Sequence, residues 1–465
     1  MRDKTGRGRK TRRSKPLLER VNRRAAGIDC GAAWHYVAVP GELDQEPVRR
    51  FSTFTDGLNQ LADWLVACGI ETVAMEATGV YWIPIYEILE ARGLEVLLVN
   101  ARHVKNVRGR KTDVTDCEWL QELHSVGLLR GSFRPSAEIA VLRSYLRHRE
   151  TLVRGIATAV NRMQKALVEM NLHLNVVISD ITGDTGQRIL RDIIKGQRDP
   201  RMLAMHRDRR CKSSEQEIAA ALTGNYRSEH LFVLRQNVEI FDAFHHQLKS
   251  CDEEIERHVQ ALAASASKAS GSPLPQARSS RPPRGNDPRF EIRTPLHQLT
   301  GVDISQIDGI GPYNALRLIG EIGTDMSRWP TEHHFTSWLG LAPTNKVSGG
   351  RLLGSGTQPS ANRAAVVLRM AAMSLCRSQT ALGAFYRRLG WRIGKAKALT
   401  ATARKLAILV YRCLKGEIEY KDPGAAAYDQ KRRESVIHTL RNRAAALGFS
   451  LVNHQTGEVF EGGVS

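Results

Sequence analysis

Residues 25–40 read AAGIDCGAAWHYVAVP, and this stretch decides the fold of the first part of the chain. β-Branched and aromatic residues stand on both sides of Gly31, which predicts two strands joined by a tight turn at that glycine. A third short strand is predicted at RRFSTF (49–54). Asp29 stands near the end of the first strand, just before the turn, where a charged side chain is not needed for packing.

Helices and strands alternate in the sequence that follows. The predicted elements are a helix at GLNQLADWLVACG (57–69), a strand at ETVAMEAT (71–78), a helix at YWIPIYEILEARG (81–93), a strand at LEVLLVN (94–100) and a helix that begins at Asp113. This alternation of the two periodicities is typical of an α/β domain. We place this domain at residues 25–132.

Four carboxylates stand at the ends of these predicted elements. Asp29 and Glu76 each end a strand, and Asp113 and Asp116 lie three residues apart on one face of the following helix. Two-metal phosphoryl-transfer sites need such a cluster, and carboxylate oxygens suit magnesium or manganese. Taken singly, Asp113 is also a good helix N-cap and Asp29 a good turn residue.

Candidate nucleic-acid contacts surround the four acids. A basic run before Asp113 is predicted to contact phosphates, with a solvated loop as the alternative; its cations are Arg102, Lys105, Arg108, Arg110 and Lys111. Four aromatic residues are candidates either for stacking on bases or for core packing: Trp34, Tyr36, Tyr81 and Trp82.

The composition favours a polyanionic partner. The 465 residues carry a net charge of +20, which is large for an enzyme of small metabolites and favours DNA or RNA. Eleven Lys or Arg residues within 1–24 predict a disordered basic arm, or a solubilising tail. No stretch is apolar enough for a membrane span or secretory signal, and the seven cysteines are spread singly, so we expect a cytoplasmic protein without a membrane partner.

The remainder of the chain is predicted to be mostly helical. Helical periodicity over 137–173 and 214–262 predicts a helical or coiled-coil arm at 133–263, which would serve oligomerisation. Residues 264–292 are rich in Ser, Pro, Gly and Arg and predict a linker or insertion. A second, mostly helical domain is placed at 293–420 and a peripheral tail at 421–465.

The second domain contains one candidate nucleophile. In HHFTSWLGLAPTNKVSGGRLLGSG (333–356), a helix is expected to give way to a polar, Gly-rich loop that carries Ser348. An accessible serine there could attack a phosphodiester, with Lys346 and Arg351 supplying positive charge. A plain turn residue is the alternative reading of Ser348. The turn from Gly309 to Pro312 resembles a helix-hairpin-helix element, and a packing corner explains it equally well.

Three stretches of the first domain carry a resemblance to a known family. GIDCG, VAMEATGVYW and GRKTDVTDCEWLQEL resemble the RuvC-like DEDD domain of the insertion sequence 110 family of transposases. The resemblance implies a ribonuclease H-like fold, similar to that of Holliday-junction resolvases. It also implies that the four acids coordinate Mg²⁺, with Mn²⁺ as a substitute.

The second domain resembles the same family over Leu299 to Leu389, as its C-terminal transposase domain. The resemblance implies that Ser348 is the nucleophile of a covalent DNA intermediate. The chain departs from the family pattern after the Gly-rich loop, where it lacks a Lys-Gly pair before the next helix; we expect Arg363 and Arg369 to compensate as phosphate contacts. The closing helices at 385–414 add further candidates for backbone contact: Arg387, Arg388, Arg392 and Lys395.

The expected function is therefore that of an RNA-guided DNA recombinase of an insertion sequence. The resemblance implies donor and target DNA and an element-encoded bridge or seeker RNA as partners. It also implies a homo-oligomer, a dimer or tetramer, in which the acids of one protomer act with the serine of another. Three alternatives stay open at this stage: a site-specific DNA invertase, a Holliday-junction-type endonuclease and a non-catalytic nucleic-acid-binding protein.

Overall fold

The computed structural model describes residues 19–77, 79–100, 113–266, 273–278, 285–357, 359–457 and 459–460. At 113–115, 346, 352 and 460 it describes the backbone alone. The chain divides into two compact units between Arg134 and Pro135. The basic run at 101–112, with its five candidate phosphate contacts, lies outside the described residues.

The first unit is a mixed sheet with helices, as predicted from the sequence. Its elements are β1 (Ala25–Cys30), β2 (Trp34–Ala38), β3 (Val48–Ser52), α1 (Thr55–Ala67), β4 (Thr72–Glu76), α2 (Trp82–Ala91), β5 (Glu95–Val99) and α3 (Asp113–Ser125). The strand order is β3-β2-β1-β4-β5, with β1, β2 and β3 antiparallel and β1, β4 and β5 parallel. This architecture is compatible with the expected RuvC-like fold.

The two central strands are buried on both faces. Ile28 in β1 and Val73 and Met75 in β4 are fully buried together with Leu61 of α1, which covers one face of the sheet. Helix α3 covers the other face with Cys117, which is also fully buried. Parallel strands that are covered on both faces read as nearly continuous apolar runs, which is the pattern of these segments.

Gly27 lets α3 approach β1 closely. A β-carbon at this position would overlap the carbonyl oxygen of Cys117 and the backbone nitrogen of Gln121. We expect Gly27→Ala to lower the free energy of unfolding by about 3 kcal/mol, since the helix backbone must move away from the sheet. Chemical denaturation and hydrogen exchange of the peptides from β1 and α3 will measure this loss.

A matched glycine serves as the control for that substitution. A β-carbon at Gly390 meets no other atom within 4 Å, and Gly390 lies inside a helix. Gly390→Ala should therefore leave the protein as stable as the parent or slightly more so, because alanine favours the helix. Normal hydrogen exchange of α3 in Gly27→Ala would contradict the close-packing explanation.

The last residues of the predicted basic arm are attached to the first unit. Asn22 donates its backbone N–H to the carbonyl oxygen of Ser125 (2.9 Å) and its side-chain amide to that of His124 (2.8 Å). Arg20 pairs with Glu42. The sequence placed the whole of 1–24 in a disordered arm, but Asn22 satisfies carbonyl groups at the end of α3, which have no partner within the helix. Residues 1–18 lie outside the described residues.

Two long helices dominate the start of the second unit, namely α4 (Ala137–Glu169) and α9 (Ser228–Ser265). They pack against each other in antiparallel orientation. The ring of His258 hydrogen bonds with the carbonyl oxygen of Glu138 at one end, and His230 pairs with Glu169 at the other. The helical arm expected at 133–263 contains this pair, whereas its coiled-coil character and its role in oligomerisation stay predictions.

Four short helices follow α4 and precede α9: α5 (Leu174–Val177), α6 (Asp184–Lys195), α7 (Pro200–Ala204) and α8 (Glu215–Ala221). They share one hydrophobic core with the long pair, in which Ile189, Leu203 and Ile218 are fully buried. The helical periodicity predicted over 214–262 is divided between two helices, α8 and α9. The chain turns at Gly224, where a β-carbon would overlap the carbonyl oxygen of Met170.

The C-terminal part is mostly helical, with two antiparallel strand pairs, at 343–357 and 451–460, that the sequence analysis missed. Its elements are α10 (Arg293–Thr300), α11 (Pro312–Ile322), α12 (Glu332–Trp338), β6 (Pro343–Ser348), β7 (Arg351–Thr357), α13 (Arg363–Ser374), α14 (Ala381–Ile393), α15 (Lys395–Leu414), α16 (Gly424–Ala446), β8 (Leu451–Val452) and β9 (Val459–Phe460). Phe335 and Tyr411 are buried at its centre. None of the described helices is long and apolar enough to cross a membrane.

The described part of the predicted linker contacts the C-terminal body. Arg278 forms an ion pair with Asp308 (2.7 Å), and Arg293 donates to the carbonyl oxygen of Pro275. These contacts attach 273–278 to the start of the C-terminal body, so this part of the expected linker is packed against it. At the far end, α16 buries none of its residues, and Tyr428 accepts a hydrogen bond from Arg388 (2.9 Å).

Candidate active site and nucleic-acid interface

Asp29 and Glu76 lie side by side at the ends of the two central strands. Ile28 and Met75 are partners in the parallel pairing of β1 and β4, and the two acids are the next residue of each strand. Side chains alternate along a strand, so Asp29 shares a face with Gly27, which α3 covers. The two half-buried carboxylates therefore belong to the α3 side of the sheet, at the carboxyl ends of its strands.

The beginning of α3 comes to the same end of the sheet. Gln121 donates to the carbonyl oxygen of Ala25 (3.2 Å), and the ring of His124 lies 2.9 Å from the hydroxyl of Thr72. Both partners stand at the first residues of their strands. Helix α3 thus runs opposite to β1 and β4, and its N-terminal turn lies where these strands end.

Two of the predicted acids open this helix. Asp113 is its first residue, described by its backbone alone, and Asp116 is half-buried one turn before the buried Leu120. The positive end of the helix dipole favours carboxylates in this turn. The structure therefore gathers three described side chains and the backbone of the fourth acid at one end of the sheet.

Two buried thiols near the acids have raised pKa values, chiefly because they are buried. Burial raises the pKa of Cys117 to about 12, with further contributions from Glu118 and Asp29. Burial also raises the pKa of Cys30 to about 12, with contributions from Asp29 and Glu76. Both thiols stay protonated near neutral pH, so neither is an activated nucleophile.

The chemistry of the four acids fits a hard divalent cation. Carboxylate oxygens are the ligands that magnesium and manganese prefer. Among the described side chains, which exclude that of Asp113, no three acidic, histidine or cysteine groups approach closely enough to share a metal ion. The fit therefore depends on donor type and on placement at the ends of β1, β4 and α3.

The aromatic residues near the acids fall into two groups. The guanidinium of Arg50 lies 4.8 Å from the ring of Trp34, whose side chain is 43% exposed. Trp82 packs edge-on against Tyr86, and the guanidinium of Arg134 lies 3.9 Å from the ring of Tyr86. Trp34 therefore remains accessible to a base, whereas Trp82 contributes to packing.

In the second unit, Ser348 stands at the tip of a β-hairpin. Gly349 and Gly350 form its two-residue turn with φ of 55° and 76°, and Ser348 pairs with Arg351 across it. A two-residue turn with two positive φ angles matches the twist of the flanking strands, and glycine adopts both angles without strain, which explains the pair of glycines. The expected polar loop is therefore an ordered hairpin that presents an exposed serine.

The cations assigned to this region have different surroundings. Arg351 is exposed next to Ser348, whereas for Lys346 the backbone alone is described. Arg363 pairs with Glu150 (2.8 Å), which also receives Arg317. One carboxylate is shared by two guanidinium groups, so a net positive charge remains at this cluster, and contact of Arg363 with phosphate stays a prediction. Arg369 is half-buried on the same helix as Arg363.

The sequence analysis missed a stretch without acidic residues. From His333 to Gly416, a segment that includes Ser348, the sequence contains 14 Lys or Arg residues and neither Asp nor Glu. Such a segment cannot compensate its own charge and favours a polyanionic partner. Counting acids within windows of the sequence would have revealed this signal.

The turn from Gly309 to Pro312 opens α11 as predicted. Gly311 is the N-cap and Pro312 the first helical residue, while Gly309 adopts a φ of 82°. A β-carbon at Gly309 would overlap the carbonyl oxygen of Ala371 in α13. The glycine is thus required by packing, which supports the packing-corner reading of this turn.

Comparison with known proteins finds a family match in two parts of the chain. A model of the DEDD transposase domain of the IS110 family, described as a transposase, matches residues 26–172. A second model, described as the transposase IS116/IS110/IS902 family, matches residues 303–387. No curated protein matches the chain at a significant level. The chain belongs to the IS110 family of transposases and is a DNA-processing enzyme of the transposase and recombinase class.

Proposed function

We propose that this transposase is an RNA-guided recombinase that cuts and rejoins DNA strands through a covalent phosphoserine intermediate. Asp29, Glu76, Asp113 and Asp116 would hold the divalent cation, and Ser348 would be the nucleophile. The observation that carries the proposal is the placement of the four acids at one end of the sheet of a DEDD transposase domain. DNA is the substrate that the family implies.

The four acids would bind the divalent cation, which neutral side chains bind less well. Magnesium or manganese bound there would activate an attacking oxygen and stabilise a leaving oxygen. Asp29 and Glu76 lie on paired strands. Asp116 lies on helix α3, whose close approach to β1 is possible because residue 27 is glycine. Rigid elements of this kind keep ligands in place better than loops do.

Ser348 is suited to attack because it is exposed at the tip of a paired hairpin. Its oxygen would form an ester with the phosphorus atom, and the bond from phosphorus to a deoxyribose oxygen would break. The proton lost by the serine would be taken up by the freed deoxyribose oxygen, which becomes a hydroxyl group. Attack by the hydroxyl of another strand on the phosphoserine would rejoin the DNA and restore Ser348.

Partners follow from the same proposal. An element-encoded bridge or seeker RNA would choose the donor and target DNA, and a dimer or tetramer would bring the acids of one copy to the serine of another. The net charge of +20 and the acid-free segment 333–416 support binding of nucleic acid. The guide RNA and the oligomer are inferred from the family resemblance.

Removal of metal and removal of RNA should each stop recombination. The assay uses the protein with its copurified RNA and two plasmids, one carrying the element ends and one a target. A chelator removes the metal and with it several kcal/mol of transition-state stabilisation. We therefore expect joined product to decrease about a thousandfold when the chelator is present. The chelator saturated with Mg²⁺ and inactivated ribonuclease are the matched controls.

Each arm of this assay can contradict one part of the proposal. Joined product that persists in the chelator would exclude a divalent cation from the reaction. Joined product that persists after ribonuclease treatment would exclude guidance by RNA. Sequencing of the copurified RNA should recover one dominant species encoded beside the transposase gene.

A further inference from the structure

A fully exposed tryptophan lies at the corner between α14 and α15. Trp391 exposes 93% of its surface, more than any other large apolar side chain in the described part of the chain. Every residue from Trp391 to Lys397 is exposed, and we call this segment the Trp391 corner. Tryptophan is on average highly buried, so packing does not explain this position.

Three cations share the corner with this ring. Arg392, Lys395 and Lys397 are exposed, and none of them pairs with an acidic residue in the part of the chain that the structure describes. They belong to the segment 333–416, which contains no Asp or Glu. The neighbouring Arg387 differs, because it donates to the carbonyl oxygen of Ser378 (2.6 Å).

The position of the two lysines is unfavourable for the helix itself. Lys395 and Lys397 stand in the first turn of α15, where the positive end of the helix dipole repels cations. The N-cap is Gly394, which has no side chain to bond the first N–H groups. An anion bound at the corner would reverse this repulsion, so the arrangement favours a polyanionic ligand.

We infer that the Trp391 corner binds single-stranded nucleic acid, with the indole stacked on a base and the three cations near the flanking phosphates. An exposed aromatic ring among cations is the combination that such sites use, since every unpaired base offers a flat face. In a duplex these faces are covered by neighbouring base pairs. The family match at 303–387 ends before the corner. The resemblance names Arg392 and Lys395 only as candidates for backbone contact, and it gives no role to Trp391 or Lys397 and no preference for single strands.

This inference rests on the proposed function in one respect. A recombinase that opens DNA and carries a guide RNA exposes single strands of both kinds. The shared chemistry is a flexible strand with accessible bases, and DNA and RNA are separate arms of the test.

The test measures binding by the full-length protein, freed of copurified RNA, in the presence of a chelator. Fluorescence anisotropy with labelled oligo(dT), oligo(U) and a DNA duplex gives the three dissociation constants. Trp391→Ala should weaken binding of single strands about tenfold, and Trp391→Phe should retain most of the affinity, because stacking needs an aromatic face. Binding of the duplex should change less than about twofold in either variant.

A charge variant tests the second half of the inference. Replacing Arg392, Lys395 and Lys397 with Gln should reduce the slope of log affinity against log salt by about 2, since three phosphate contacts are lost from a single strand. Phe54→Ala is the matched control for loss of an exposed aromatic ring. Phe54 is 79% exposed, and its neighbours from Ser52 to Asp56 carry no cation.

Several outcomes would overturn the inference. One is that Trp391→Ala binds both single strands with the affinity of the parent. Another is that this variant loses the same factor of affinity for single strands and for the duplex. A change in the sedimentation mass of Trp391→Ala without nucleic acid would make the corner a contact between protein copies. A selective loss with oligo(U) supports RNA as the ligand, and one with oligo(dT) supports DNA.

Failure of this inference differs from failure of the proposed function. Binding in a chelator requires neither metal nor strand transfer, so it is independent of the acids and Ser348. A protein that binds single strands through Trp391 and never recombines plasmids would contradict the proposed function alone. A protein that recombines normally with Trp391→Ala and binds single strands normally would contradict the inference alone.

Discussion

Asp29→Asn should reduce plasmid recombination by about a thousandfold, because loss of a metal ligand removes several kcal/mol of transition-state stabilisation. Glu76→Gln should act similarly, since Glu76 stands beside Asp29 on the paired strand β4. Both substitutions keep the shape of the side chain and remove its charge. Joined product, quantified by amplification across the junction, is the measurement.

Glu118→Gln is the matched control for these two substitutions. Glu118 lies on α3 two residues after Asp116, and its side chain is exposed. Its removal changes the net charge of the protein by the same amount as Asp29→Asn. If Asp29→Asn and Glu118→Gln both recombined plasmids as well as the parent does, the carboxylate of Asp29 would not be required for recombination. All three variants should bind duplex DNA at least as well as the parent, because each removes a negative charge.

Ser348→Ala should eliminate the covalent protein–DNA adduct. The adduct is trapped by denaturing the protein during the reaction and is detected by its retarded migration in a denaturing gel. Without the hydroxyl no phosphoserine ester can form, so the adduct should fall below detection and joined product by about a thousandfold or more. The exposed position of Ser348 predicts little effect on stability, within about 0.5 kcal/mol of the parent.

Ser355→Ala is the matched control in the same hairpin. Ser355 is exposed on β7 and pairs with Asn345 of β6. This variant should form the adduct as the parent does. If the adduct persisted in Ser348→Ala and disappeared in Ser355→Ala, the nucleophile would be Ser355 instead of Ser348. Cleavage without an adduct in the parent would favour a hydrolytic endonuclease, in which Ser348 has a structural role.

The local structure of the first unit could be predicted from the sequence. Strands β1 and β4 are nearly continuous apolar runs with an acid at the end, since Asp29 is the penultimate residue of β1 and Glu76 the last residue of β4. These runs predict both the strands and the positions of the two acids. Helix α3 begins at Asp113, as the spacing of the two aspartates predicts. These features depend on side-chain periodicity over a few residues, which a single sequence displays directly.

Other features depend on contacts between residues far apart in the chain. The hairpin of β6 and β7 was expected as a loop, because its polar residues lack a clear alternation and its two glycines are also typical of loops. The break at Gly224 depends on the carbonyl oxygen of Met170, about fifty residues earlier. Arg363 shares an ion pair with Glu150, which no local pattern indicates.

The sequence alone therefore determined that the chain has an α/β unit with four acids at the ends of its elements, a mostly helical remainder and a strong positive charge. The tertiary structure decided how the acids come together, since Gly27 allows the backbone of α3 to approach β1. It also decided which cations form ion pairs and that Trp391 is exposed. Periodicity and charge are properties of short segments, whereas proximity and exposure arise when distant segments pack.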